Sequence, residues 1–155
     1  MPMPTVGQPA PWPAGIHDQN GAAVELARHR GQYVLLYFYP KDDTPGCTIE
    51  ACGFRDHHAE VGAVVYGVSL DDAASHQAFI AKYQLPFSLL IDAQRQLAAA
   101  YGVLPEGSAY PTRSSFLIAP DGRIARIWPK VKADGHWQEV RQAVLEGGAS
   151  GRAGG

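Results

Sequence analysis

Cys47 and Cys52 are the only thiols in this chain, and they stand five residues apart. A thiol reacts as its thiolate, so its surroundings decide whether it is reactive. Thr44 suits a helix N-cap and Pro45 the first helical position. Cys47 then falls in the first turn of a helix, where unpaired N–H groups and the positive end of the dipole favour an anion. The spacing C-x-x-x-x-C is not the C-x-x-C of a zinc ribbon or a dithiol-exchange motif. Two cysteines are also too few to staple a chain of 155 residues, which can bury a core of its own. Two readings remain on these grounds. Either one thiol is reactive with a second close by, or both are buried and inert, acting as small hydrophobes.

Helix geometry constrains the first reading. Five residues along one α-helix separate two Cα atoms by about 8–9 Å and turn them roughly 140° around the axis. A disulfide needs Cα atoms within about 7 Å. Either the thiols never pair, or the first turns unwind when they do. Gly53 weakens such a helix by about 1 kcal/mol relative to Ala; its other reading is close packing against a neighbouring element.

The elements that must position this segment alternate between strand and helix. Tyr33–Tyr39 is an unbroken apolar and aromatic run stopped by Pro40, as expected of a strand buried on both faces. A helix is expected from Thr44 to about Val61, then a second buried strand over Ala63–Val68. Asp72 to Tyr83 reads as a helix with Ala73, Phe79, Ile80 and Tyr83 on one face. A short strand over Phe87–Ile91 precedes a helix from about Gln94 to Tyr101. Ser115–Ile118 and Ile124–Trp128 flank the turn signal Ala119–Arg123 and form a hairpin, and Trp137 to Leu145 is a closing helix. This order predicts an α/β domain with a central mixed sheet flanked by helices on both faces. A thioredoxin-like fold satisfies it, as do other three-layer sheets. The expected organisation is a single domain over 1–146 and a flexible Gly-rich tail over 147–155.

Composition narrows the function classes. The net charge is −2 with both signs interspersed, which argues against a nucleic-acid surface. No apolar stretch approaches the roughly 20 residues needed to span a bilayer. The first residues lack the basic and apolar regions of a secretory signal.

Pro40, Thr44 and Cys47 match the pattern P-x-x-x-T-x-x-C of the peroxiredoxins. The longer string from Tyr37 to Asp56, YFYPKDDTPGCTIEACGFRD, closely resembles the peroxiredoxin Q, or bacterioferritin comigratory protein, group. The likeness runs from about Gly31 to Val140 and includes Tyr66–Asp71, Phe87–Asp92, Thr112–Phe116 and Gly135–His136. It implies a thioredoxin-like fold and a thiol peroxidase that uses no cofactor and no metal. Cys47 would be the peroxidatic cysteine, which attacks a peroxide oxygen and becomes a sulfenic acid. Cys52 would be the resolving cysteine, which condenses with it to an intramolecular disulfide. Thr44 would hydrogen-bond thiolate and peroxide, and Pro40 would shield the sulfur from water. Arg113 would face the thiolate across the pocket and stabilise developing charge. Glu50 would orient Arg113. Without the resemblance these residues read as an N-cap, a strand end, a surface charge and a first-turn acid. The implied substrates are hydrogen peroxide and organic hydroperoxides, and the implied reductant is thioredoxin or a glutaredoxin-like dithiol. A cytoplasmic monomer is expected, with neither nucleic acid nor membrane as a partner.

The sequence departs from the group near its start, where Ala10–Pro13 replaces the usual A-P-x-F and leaves the first hairpin unplaced. Two rival readings are weaker. A disulfide-exchange protein without peroxidase activity calls for C-x-x-C. A metal module of Cys47, Cys52, His57 and His58 conflicts with the adjacent histidines, which point to different sides of a helix.

Overall fold

The computed structural model describes residues 3–154, and the side chains up to residue 147. The run that ends at Pro40 forms β2 (Val34–Phe38), near the middle of a six-stranded sheet. Its neighbours are β3 (Val64–Ser69) on one side and β5 (Ser114–Ile118) on the other. β4 (Ser88–Ile91) lies beyond β3, then β1 (His17–Asp18) at one edge; β6 (Ile124–Trp128) is the other edge. β2, β3 and β4 are parallel, and β1, β5 and β6 pair antiparallel with their neighbours. The sheet is mixed, as expected.

Every residue of β2 is buried because the sheet is covered on both sides. Side chains alternate between faces, so Leu35, Tyr37 and Tyr39 join one core and Val34, Leu36 and Phe38 the other. The first core is closed by α1 (Pro45–Asp56), α2 (His58–Val61), α3 (Ala73–Tyr83) and α5 (His136–Gly154), through Phe54, Val61, Phe79 and Val140. The second is closed by α4 (Gln96–Ala100) through Leu97 and Ala98, with a 3₁₀ turn at Leu26–His29 beside it. Phe54 stacks on Tyr37 at 5.2 Å and fastens α1 to the sheet. Burying such a side chain contributes roughly 1.5–3 kcal/mol.

Several boundaries differ from expectation. The helix expected from Thr44 to Val61 breaks at His57 (φ −120°, ψ 20°), whose ring lies flat on Trp137 at 3.5 Å. On α3, Phe79, Ile80 and Tyr83 pack on the first core as expected, but Ala73 is only partly covered and His76 is the further inward residue. The closing helix does not end near Leu145 but continues to Gly154. Gly147 passes so close to Tyr33 that a Cβ there would lie 2.6 Å from the phenol oxygen. The unplaced N-terminal stretch forms a short hairpin over residues 16–24, with Asp18 N–H donating to Ala22 C=O (3.0 Å) and Val24 N–H to Ile16 C=O (2.9 Å). Residues 7–10 run beside β6, with Gly7 N–H donating to Ile124 C=O (2.8 Å), Ile124 N–H to Gln8 C=O (2.9 Å) and Ala10 N–H to Gly122 C=O (2.9 Å). Among the described residues no helix is long and apolar enough to cross a membrane.

Candidate active site

The strand-to-helix connection after β2 opens at the carboxyl ends of the parallel strands, where α/β sheets place ligands. Pro40 follows the strand, half-buried. Thr44 occupies the N-cap position with extended backbone (φ −100°, ψ 157°), and Pro45 starts the helix. The Thr44 hydroxyl does not cap the helix as its position suggests; it donates to the Lys41 carbonyl at 3.0 Å. Cys47 lies in the first turn and is 1 % exposed. Cys52 is half-buried further along α1, and both thiols are free. The two cysteines therefore share one intact helix.

Arg113 immediately precedes β5. Because Phe38 pairs with Ser114, Arg113 is delivered to the end of β2, across the pocket from α1. Its Nη2 donates to Cys47 Sγ at 3.4 Å and its Nη1 to Glu50 Oε1 at 2.8 Å. The pair formed by this sequence separation is thus a contact in space. Burial opposes the Arg113 charge, but Glu50 and Cys47 outweigh it and raise its pKa. Glu50 is 1 % exposed and its Oε2 has no partner. Burial pushes its carboxyl up to about 7 against the pull of Arg113. The guanidinium can reach the sulfur because residue 46 is glycine: a Cβ there would lie 2.8 Å from Arg113 Nη2. Tyr37 lies under α1 with an unpartnered, buried hydroxyl. Burial chiefly, then the charges of Glu50 and Cys47, keep it a neutral phenol.

Sequence reasoning assigned no role to four further groups. Gly46 is one. His136 is buried at the start of α5, with Nε2 on Ser115 Oγ at 2.8 Å, Nδ1 on Glu139 at 3.0 Å and its ring edge-on to Phe54. Burial lowers its pKa. The adjacent Trp137 explains Gly53 as a packing residue, since a Cβ there would lie 3.1 Å from the indole. Asp42 and His76 form a buried pair below the Pro40–Thr44 loop, at 2.7 Å. Among the described residues the metal-ligating side chains close enough to share an ion are Asp42, Asp71 and His76, not the cysteines with His57 and His58.

A buried thiol at a helix N-terminus, bonded to a guanidinium on a thioredoxin-like sheet, defines a thiol-dependent peroxidase. The model of the AhpC/TSA family matches residues 6–127. The putative peroxiredoxin Bcp of Coxiella burnetii is 47 % identical over 144 residues, covering 87 % of this chain and 95 % of the relative. Peroxiredoxin Bcp of Bacillus subtilis is 44 % identical over 150 residues, covering 91 % and 95 %. Among solved structures, peroxiredoxin Q of Xanthomonas campestris superposes with a TM-score of 0.80 at 36 % identity, covering 84 % of this chain and 89 % of that one. The bacterioferritin comigratory protein of the same organism gives 0.82 at 33 % identity, covering 92 % and 98 %. The chain belongs to the AhpC/TSA family, among the peroxiredoxins of the Bcp/peroxiredoxin Q group.

Proposed function

We propose that this peroxidase reduces hydrogen peroxide and organic hydroperoxides at Cys47 and resolves through Cys52. The observation that carries the assignment is the 3.4 Å contact between Arg113 and the sulfur of a first-turn cysteine. The Cys47 thiolate attacks the distal peroxide oxygen. An S–O bond forms, the O–O bond breaks, the sulfur is oxidised by two electrons and the peroxide leaves as an alcohol or water. Arg113 stabilises the thiolate and the charge developing on the leaving oxygen. Glu50 holds Arg113 in place, the Thr44 hydroxyl meets the peroxide, and Pro40 keeps water from the sulfur. Cys52, as its thiolate, then attacks the sulfenic sulfur, releasing water and forming the disulfide. A dithiol of the thioredoxin or glutaredoxin kind restores both thiols by exchange. Alkyl peroxide reduction is ascribed to the Xanthomonas campestris bacterioferritin comigratory protein, which supports including organic hydroperoxides here.

A monomer suffices, because both cysteines belong to one chain. A cytoplasmic setting suits a disulfide that must be reduced each cycle by a thiol pool. Cofactor and metal play no part in these steps, and nothing in them calls for nucleic acid or membrane. Cys47→Ser should abolish peroxide consumption supported by thioredoxin. Cys52→Ser should consume one equivalent of peroxide and stall as a sulfenic acid, detectable by mass spectrometry. Sustained turnover by Cys47→Ser, or insulin reduction without peroxide consumption by the wild-type chain, would overturn the assignment.

A further inference from the structure

The loop that carries Pro40 and Thr44 rests on a polar cluster outside the reacting groups. Asp42 is 6 % exposed, and His76 beneath it is fully buried. Asp42 Oδ1 accepts from the Tyr39 hydroxyl at 2.5 Å; Oδ2 accepts from Ser75 Oγ at 2.8 Å and faces His76 Nδ1 at 2.7 Å. The other ring nitrogen, Nε2, faces the Leu90 carbonyl at 2.8 Å. A carbonyl only accepts, so Nε2 carries a hydrogen and the imidazole ties the loop to β4. On its backbone side, the Asp42 N–H donates to Asp71 Oδ2 at 2.9 Å, and that oxygen also accepts from Ser69 Oγ at 2.6 Å. The three residues whose ligand atoms could meet at an ion are thus already engaged with one another and with the loop.

The Asp42 N–H and the Lys41 C=O belong to one peptide unit, which is planar and trans. Fixing the N–H end fixes the direction of the carbonyl. That carbonyl accepts from the Thr44 hydroxyl at 3.0 Å. With its hydrogen directed at Lys41, the Thr44 oxygen keeps its lone pairs for a donor entering the pocket. The next residue, Asp43, takes a left-handed conformation (φ 56°) and is clamped by Lys82 and Tyr83 at 2.7 and 2.9 Å. Strained backbone of this kind persists where its surroundings over-determine it.

We infer that His76, through Asp42, is a positioning residue for the peroxide step: it anchors the Asp42 side chain while Asp71 holds the Asp42 N–H, and together they fix the Lys41–Asp42 peptide whose carbonyl orients the Thr44 hydroxyl. The inference rests on the proposed roles of Cys47 and Thr44. A misplacement of about 1 Å in a reacting constellation costs up to about 100-fold in rate.

The test is the pseudo-first-order oxidation of Cys47 by excess hydrogen peroxide, followed by stopped-flow fluorescence in full-length protein. This rate belongs to the folded molecules and does not depend on their fraction. His76→Leu should slow it roughly 10- to 100-fold. His76→Asn, which keeps an amide near the place of Nδ1, should recover most of the rate. Alkylation of Cys47 by iodoacetamide, which makes no use of the Thr44 hydroxyl, should stay within about twofold. In a Thr44→Val background the His76→Leu effect should disappear, because the two changes act through one hydroxyl. Should His76→Leu not fold, Asp42→Asn enters the same cycle. A variant that lowers the melting temperature but leaves the peroxide rate unchanged overturns the inference, as does full additivity with Thr44→Val. Peroxide oxidation that persists in Cys47→Ser overturns the site assignment itself and the inference with it.

Discussion

Glu50 touches a guanidinium and yet is held back from ionising, because burial outweighs the attraction and one of its oxygens has no partner. This has a consequence for stability. In the unfolded chain the carboxyl loses its proton near 4.5, in the folded chain near 7. Across that window the folded state holds a proton that the unfolded state has released, so stability falls as pH rises. The loss is on the order of 3 kcal/mol, complete above the folded value. Urea unfolding of reduced protein at pH 5 and pH 8 should show it, and Glu50→Gln should flatten the difference. A second consequence attaches to Gly46. Gly46→Ala should favour the helix by propensity, but its Cβ would displace Arg113 Nη2 from the sulfur. The peroxide rate should drop about tenfold or more while the melting temperature holds or rises; stopped-flow oxidation and calorimetry on one preparation would separate the two. The grouping of Arg113 with Cys47 and Glu50 was legible because a local motif and a family pattern mark these residues. Asp42 and His76 were not. Their pairing spans 34 residues, and a histidine on a helix gives no sign in the sequence of being turned inward.

At the scale of the element, α1 holds two thiols that its own geometry keeps from bonding. The helix start lacks internal partners for its N–H groups, and losing a few helical hydrogen bonds costs about 1 kcal/mol each. The far end is held more firmly: Phe54 stacks on Tyr37, and Gly53 and His57 lie against Trp137. Oxidation should therefore strip amide-exchange protection from the start of α1 through Cys52 and leave Phe54 and β2 protected. Equal protection of α1 in both redox states would leave Cys52 without its resolving role. That the two thiols cannot bond on an intact helix follows from residue spacing, and that they pair at all rests on the family resemblance. The break at His57 followed from neither, because it arises from an aromatic stack on α5 that is set by tertiary packing. The length of α5 was misjudged for a related reason: Gly147 reads as tail composition, whereas it is the close approach that lets the helix pass Tyr33.

For the whole molecule, the two-faced sheet was readable because β2 and β3 are continuous apolar runs, which only a sheet covered on both sides accommodates. Residues 7–10 resisted reading because their partners lie more than a hundred residues away, as with Gly7 and Ile124. Those same hydrogen bonds bear on how molecules of this protein meet one another. An open strand margin is a template for another chain, and proteins blunt it with short strands, prolines or a covering segment. Here β1 is only two residues long, and its outer side is covered by Ala22–Val24. β6 is a five-residue strand, and residues 7–10, Pro9 among them, pair with its first residue, Ile124, and with the turn before it. Removing residues 3–10 should bare that end of β6, and sedimentation should then show more concentration-dependent self-association than in the full chain. Such an increase would make the segment that looked least like structure in the sequence a guard against polymerisation.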